Sequence, residues 1–378
     1  MNKPKLAILV NMIAPYRVRL FTHLASEFDV SIFCGSMEAN RTSWKEAKVE
    51  GARIRRVRGW QFSFPQRQGG KEVDKHYFHL EPAYLFDLIK ERPDAVIAAE
   101  MGFRTLAALA YGTLFRKPVW VWWGGTLRTE RSTGRLKRLL RRLIARWAKH
   151  WISYGQTSTE YLQTLGIGVD RILQIQNCVD ESWYTRKVEP ALDVHPKPVL
   201  LHVGQMIARK GISGFLRAAA RLQEEDLPFS VLLVGGGPDR EQLQEEVRSL
   251  GLRDVRFCPA QSPPAMASFY RSADVLIFPT VEDVWGLVAN EAVLSGISVL
   301  CSKYAGCAPE LFEPEAIFDP ADEQEFTSAL RRAVTRRLPR PDPSRLRRTE
   351  EVAEMISKTV LASVKQSEST KILSPGLR

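Results

Sequence analysis

The densest set of reactive groups lies in Glu282-Asp283-Val284-Trp285-Gly286-Leu287-Val288-Ala289-Asn290-Glu291-Ala292, directly after an apolar run that ends Phe278-Pro279-Thr280. A strand, a turn containing glycine and then a helix present free backbone N–H groups at the strand's carboxyl end, where a phosphate docks against the positive end of the helix dipole. Glu291 sits about one and a half helical turns beyond Gly286. Its carboxylate can accept two hydrogen bonds from a vicinal diol such as a ribose. A second stretch, Val203-Gly204-Gln205-Met206-Ile207-Ala208-Arg209-Lys210-Gly211, runs from a strand into a loop with glycines and paired cations. Arg209 and Lys210 there could stabilise the negative charge that develops on a departing diphosphate. Between the two, Val234-Gly235-Gly236-Gly237-Pro238-Asp239 is another strand-to-helix turn, with proline suited to the first helical position and glycines that let a nucleotide approach the backbone closely. Each stretch alone also reads as a connecting turn, a solvated helix start or a surface ion pair. All three at strand ends, in this order, point to a nucleotide diphosphate.

The first half offers looser candidates. Tyr16 and Arg17 follow the first strand in Asn11-Met12-Ile13-Ala14-Pro15-Tyr16-Arg17, and Arg17 could meet a donor phosphate or an anionic acceptor, or simply bridge surface groups. The strand ending at Trp123 runs into Gly124-Gly125-Thr126; Trp123 could stack on a sugar face or pack in the core. Glu100 is a candidate acceptor base or ligand, with an ion pair as the plain alternative. Residues 131–149 hold eight Lys or Arg, with Leu136, Leu139, Leu140, Leu143, Ile144 and Trp147 at helical spacing. This basic amphipathic helix could dock on an anionic lipid surface and present a lipid-linked acceptor, or pack its apolar stripe on the sheet. The two uses compete for one stripe. His76 and His79 are too isolated for a metal site, and no Asp-x-Asp pair occurs. The expectation is therefore a site without metal or other cofactor, in which cations and the helix dipole hold the diphosphate.

Strands must place these groups. Short apolar runs at residues 6–10, 30–33, 95–99, 119–123 and 151–154 alternate with amphipathic segments, and the second half repeats the plan at 199–203, 230–234, 255–258, 275–278 and 298–301. Such alternation builds parallel sheets covered on both faces. At 378 residues two domains are expected: one over 1–190, one over 195–340, with the proline-rich segment 189–198 as linker and a helix over 345–366 packing back on the first domain. Doubly wound domains bind ligands at the carboxyl ends of their strands, so two facing domains would form an interdomain cleft.

Composition narrows the setting. Hydrophobic residues make up 44% and charged residues 26%, as in ordinary globular chains. Cys34, Cys178, Cys258, Cys301 and Cys307 are odd in number and irregularly spaced, which suggests neither a disulfide framework nor a zinc site and fits a reducing, cytoplasmic compartment. Residues 3–10 lack the length and cleavage site of a signal peptide. No apolar run reaches the length of a membrane span, since the longest candidate, 95–111, is interrupted by Glu100 and Arg104. The net charge of +11 is concentrated in residues 1–190, with 31 Lys and Arg against 18 Asp and Glu; residues 191–378 hold 23 against 25. An anionic partner on the first half is implied: a membrane surface, a phosphorylated acceptor or nucleic acid. The aromatic and basic interleaving of nucleic-acid modules is missing, so nucleic acid ranks last.

With these residues in view, Asp283 and Glu291 resemble the Glu-x7-Glu signature of retaining glycosyltransferases of family 4, whose GT-B fold sets two Rossmann-like domains face to face. Asp283 stands where the first Glu is usual. The resemblance implies that Asp283 takes the donor sugar's hydroxyls and Glu291 the ribose. Gly204, Lys210 and Gly211 are similar to the family's Gly-Arg-…-Lys-Gly loop, with Gln205 in the arginine's place and Arg209 as the substitute cation. It further implies donor contacts at Gly236, at the nucleobase side near Pro259, and at the backbone of Trp285, Gly286, Leu287 and Val288. Pro15-Tyr16-Arg17 resembles a variant common in the family, Trp123 stands at a usual histidine, and Asn177-Cys178-Val179-Asp180 resembles the segment that closes the first domain. The implied activity is transfer of a sugar from a nucleotide diphosphate donor to a hydroxyl acceptor in polysaccharide, lipopolysaccharide or glycolipid assembly. Configuration would be retained by front-side substitution, the enzyme being cytoplasmic and peripheral to the membrane. A nucleotide-sugar epimerase or hydrolase of the same fold, and a basic nucleic-acid-binding protein, are the alternatives.

Overall fold

A computed structural model describes residues 3–35, 48–68, 71–80 and 83–372, with backbone alone for 60–68, 71–80 and 370–372. The chain divides into two compact units, Met1–Cys178 with Arg347–Arg378, and Val179–Leu346.

The first unit is built on a parallel sheet of seven strands in the order Ala52–Arg56, Asp29–Cys34, Lys5–Val10, Ala95–Ala99, Val119–Trp123, His150–Ser153 and Ile172–Gln174. Its strands are apolar on both faces because both faces are covered. In the first strand Leu6, Ile8 and Val10 pack on one side with Phe21 and Leu24 of helix Val18–Glu27, and with Val352, Ile356 and Val360 of helix Thr349–Ile372. Ala7 and Leu9 pack on the other with Leu88, Ala108, Ile144 and Leu162 of four further helices. An antiparallel hairpin, Trp60–Gln68 with Lys71–Leu80, follows the edge strand Ala52–Arg56. His76 and His79 lie on it, and their side chains are outside the described residues.

The second unit repeats the architecture with six parallel strands in the order Val255–Cys258, Ser230–Val234, Val199–Val203, Val275–Phe278, Ser298–Ser302 and Ile317–Phe318. Leu200, Val231, Leu233, Ile277 and Leu300 pack against Phe215, Leu216 and Ala219 of helix Ile212–Gln223 and against Phe326 and Leu330 of helix Glu323–Val334. In both sheets the chain builds outward from a central first strand, then crosses back to that strand's other side. The reversal points lie between Lys5–Val10 and Ala95–Ala99 and between Val199–Val203 and Val275–Phe278. Open α/β sheets take ligands at such points, outside the strands' carboxyl ends.

Three short edge strands, Ala52–Arg56, Ile172–Gln174 and Ile317–Phe318, escape the apolar-run criterion because edge strands are short and half polar. The unit boundary also falls earlier than residue 190. Tyr184 is buried edge-on against Tyr270 at 6.0 Å, and the Ala191 N–H donates to the Ser268 carbonyl at 2.9 Å. Residues 179–198 thus adhere to the second unit instead of hanging free as a linker. Among the described residues, no helix is long and apolar enough to cross a membrane.

Candidate functional site

The three loops singled out by sequence all leave the carboxyl edge of the second sheet, and two of them flank its reversal point. Gly204 to Gly211 follows Val199–Val203, and residues 279–286 follow Val275–Phe278. They are tied together: the Val281 N–H donates to the Arg209 carbonyl at 2.9 Å, and Thr280 Oγ1 lies 3.2 Å from the same oxygen. Two glycines permit the crossing. Gly211 has φ +70° and a Cβ there would stand 2.0 Å from the Pro279 carbonyl oxygen; Gly286 has φ +100° and a Cβ would meet the Phe278 ring at 2.3 Å. The Gly235 turn joins the cluster through Met206 N–H to Gly236 O at 2.8 Å. Gln205 and Pro259 are exposed at the same edge.

At the centre, Lys210 Nζ lies 2.5 Å from Asp283 Oδ2, each side chain only about one-seventh exposed (14% and 15%). Burial pushes the Asp283 carboxyl up, but Lys210, the Arg209 charge and the Trp285 N–H outweigh it and hold the pKa below the ordinary value. Asp283 is therefore held as the carboxylate, and Lys210 Nζ also lies 5.7 Å from the Phe278 ring centre. His202, in the strand that leads into this loop, is buried; burial drives its pKa down to about 4, the Ile277 carbonyl opposing this and Lys210 adding to it. A neutral His202 leaves Lys210 and Arg209 as the positive charges here.

Helix Leu287–Leu294 begins at Gly286 with no side-chain cap, so its first N–H groups are not served by a capping side chain, the state in which a helix start can take an anion. The Trp285 side chain is turned away from ligand duty: it is 1% exposed and donates its indole N–H to Asn290 Oδ1 at 2.8 Å. Its backbone N–H already serves Asp283 Oδ1 at 3.2 Å. Of the expected Trp285–Val288 donors, this leaves the helix start at Gly286, Leu287 and Val288. Glu291, one and a half turns in, accepts the Tyr270 hydroxyl at 2.7 Å, with Tyr184 packed edge-on to Tyr270. Burial raises its pKa to about 7, against the opposing effect of the two phenols. Tyr184 and Tyr270 carry no motif signal. They are 86 residues apart in the chain, and only the fold pairs them.

In the first unit Tyr16 is partly buried and Arg17 is 8% exposed in the one-turn helix Pro15–Arg17 after the first strand. Glu100 follows Ala95–Ala99 with φ +68°, its side chain 62% exposed and 3.8 Å from Arg104. Trp123 packs in the core: Tyr161 stacks on it at 5.8 Å, the Arg141 guanidinium lies 4.9 Å from its ring, and its indole N–H donates to the Gly125 carbonyl. At 6% exposure it offers no platform to a sugar. Gly124 matters by size, since a Cβ there would meet the Tyr154 ring at 2.2 Å.

The basic helix, Arg135–Trp147, divides its apolar stripe. Ile144 and Ala145 are buried and Leu140 is partly so, but Leu136 (81%), Leu139 (64%), Leu143 (53%) and Trp147 (38%) are exposed. At about 100° per residue these four lie within about 80° of arc. One strip of the helix is thus packed into the unit, and the adjacent strip is left exposed.

Similarity to known proteins runs in the same direction. Over 142 residues the chain is 34% identical to a D-inositol 3-phosphate glycosyltransferase of Corynebacterium urealyticum, covering 35% of this chain and 34% of the relative. Over 216 residues it is 27% identical to the lipopolysaccharide glucosyltransferase WaaG of Escherichia coli, covering 56% and 55%. The matches span between a third and just over half of these relatives. Among solved structures, Anabaena Alr3699/HepE in complex with UDP and glucose superposes with a TM-score of 0.66 at 18% identity, over 97% of this chain and 99% of that one. The crystal structure of WaaG gives 0.59 at 15%, over 98% and 100%. At those identities the likeness shows the fold, two Rossmann-like α/β units of the GT-B class. The part of the chain that builds the site, residues 186–352, matches the family model for glycosyl transferases group 1.

Proposed function

We propose that this protein is a glycosyltransferase that takes a sugar from a nucleoside diphosphate donor, held by the second unit, and places it on a hydroxyl acceptor with retention of configuration. The reading is supported by one observation: the Lys210–Asp283 pair and the uncapped start of the helix that carries Glu291 lie on loops leaving one edge of a parallel sheet, at its reversal point. Lys210, Arg209 and the helix N–H groups bind the diphosphate, and Glu291 binds the ribose. Asp283 orients Lys210 and can accept a sugar hydroxyl. In the transfer, the bond from the anomeric carbon to the diphosphate oxygen breaks and a bond to the acceptor oxygen forms on the same face. The acceptor's proton passes to the departing diphosphate. Charge growing on that leaving group meets fixed cations in a partly dry site, where they act most strongly. No metal is assigned a role, and transfer should persist in excess EDTA. The alternative enzyme of this fold, an epimerase or hydrolase, would consume donor with no acceptor present.

The acceptor is read as lipid-linked and the enzyme as peripheral on an anionic membrane face. Leu136, Leu139, Leu143 and Trp147 project beside exposed Arg135, Arg138, Arg142 and Arg146, the combination that suits the boundary between headgroups and acyl chains. The test of the central reading is a screen of UDP-, GDP-, ADP- and dTDP-sugars for thermal stabilisation, followed by Lys210→Ala and Glu291→Ala. One donor should stabilise the wild type, and both variants should lose binding or turnover by at least a hundredfold. Wild-type turnover in both would refute the assignment.

A further inference from the structure

Two arginines of the first unit are more than nine-tenths buried and stand over tryptophan rings, but only one has a counter-ion. Arg141 is 2% exposed, with its guanidinium 4.9 Å from the Trp123 ring centre. It forms an ion pair with Glu130 and hydrogen bonds to Thr133 Oγ1 at 3.0 Å and to the Tyr161 hydroxyl at 3.4 Å. This is the ordinary provision for a buried cation, whose desolvation must be offset by charge and hydrogen bonds. Arg17 is 8% exposed, with its guanidinium 4.4 Å from the Trp122 ring, 5.3 Å from Tyr154 and 5.8 Å from Tyr16. Among the described residues no carboxylate and no hydrogen-bond acceptor serves its side chain.

Rings cover a guanidinium's faces and leave its edge. The five N–H donors of that edge match the fork of a carboxylate or phosphate, and the cation–π contact does not satisfy them. The cage is also fixed in place. Trp122 meets Phe21 and Tyr154 edge-on at 6.4 Å and 5.9 Å, and Tyr154 lies so close over Gly124 that no larger residue fits there. All the parts sit at the carboxyl edge of the first sheet: Arg17 beyond Lys5–Val10, Trp122 at the end of Val119–Trp123, and Tyr154 just past His150–Ser153. That is the edge at which such sheets receive ligands.

We propose that Arg17, in its cage of Trp122 and Tyr154, is the recognition site for an oxyanion, a phosphate or carboxylate, carried by the acceptor substrate. The acceptor role rests on the transferase reading; the oxyanion site does not. The missing partner of Arg17 is then supplied by substrate, as Glu130 supplies that of Arg141. A neutral acceptor of the same shape leaves Arg17 unpaired and is selected against.

The experiment titrates the full-length wild type and Arg17→Gln with inorganic phosphate, alone and in the presence of whichever nucleoside diphosphate the donor screen selects. Phosphate should bind the wild type in both conditions and at least tenfold more weakly in Arg17→Gln, while the nucleoside diphosphate binds both proteins within twofold. In the wild type, phosphate should also change the tryptophan fluorescence, a response lost in Trp122→Phe; this reports on the site even if Arg17→Gln folds poorly. Equal phosphate binding in the variant, or no phosphate binding and no fluorescence response in the wild type, overturns the proposal. So does a parallel loss of nucleoside diphosphate binding in Arg17→Gln, which would give Arg17 to the donor. A chain that binds phosphate through Arg17 but no nucleotide sugar would instead remove the transferase reading and leave the oxyanion site standing.

Discussion

Replacing Tyr270 by phenylalanine should move the pH at which the protein takes up its donor. Its hydroxyl lies 2.7 Å from Glu291 Oε2, and Glu291 titrates at about 7 because burial raises it more than Tyr270 and Tyr184 lower it. A hydrogen bond to a charged group is worth about 1.5–3 kcal/mol, and a pKa unit corresponds to about 1.4 kcal/mol. Loss of the hydroxyl should therefore raise Glu291 by about one to two units, to roughly pH 8–9. If the ribose is bound by the carboxylate form, about half the wild-type molecules are competent at pH 7 and roughly 1–10% of the variant, so donor affinity at that pH should fall about 5- to 50-fold. Above roughly pH 10 the two proteins should converge.

The same shift has a stability signature of known sign. A carboxyl group whose folded pKa lies above its unfolded value favours folding most below the unfolded value and loses that contribution as pH rises through the folded pKa. In the wild type the loss falls between about 4.5 and 7; in Tyr270→Phe it should extend to roughly pH 8–9. Isothermal titration of the stabilising nucleotide sugar between pH 5.5 and 10, with thermal unfolding alongside, measures both. An acid limb that stays at the wild-type pH in a folded variant would refute the role given to Glu291.

Three further outcomes follow from the same geometry. Lys210→Met leaves Asp283 buried without its partner and should cost about 3–5 kcal/mol of stability, whereas the pair Lys210→Met with Asp283→Asn should recover much of it by denaturant unfolding; additivity would show that the ion pair is not coupled. Gly286→Ala places a Cβ against Phe278 at a left-handed φ and should destabilise the second unit by about 1–3 kcal/mol, with donor affinity falling more than for Gly296→Ala, where φ is +79° but no atom lies within 4 Å. Leu139→Ser with Leu143→Ser should leave the melting temperature unchanged and abolish sedimentation with vesicles of phosphatidylglycerol and phosphatidylcholine, whereas Ile144→Ser, on the buried strip, should unfold the helix's seat; vesicle binding by the double serine variant would remove the membrane reading.

Much of this protein was legible one residue at a time. The central strands 95–99, 119–123 and 275–278 begin and end where continuous apolar runs begin and end, because a strand buried on both faces has no polar position to blur the pattern. Lys210, Asp283 and Glu291 were recognisable because the loop and the helix that carry them are local in sequence. The pairing of Lys210 with Asp283 across 73 residues and the convergence of Tyr184 and Tyr270 on Glu291 belong to tertiary structure. Trp122 and Trp123 show the division most plainly. They are identical in type and adjacent in sequence, but strand alternation sends them to opposite faces of the sheet. One is packed beside an arginine that has its carboxylate, and the other beside an arginine that has none. Side-chain spacing sets which groups can face the same way, and only the closed sheet decides which of them meet, since that depends on contacts between residues far apart along the chain.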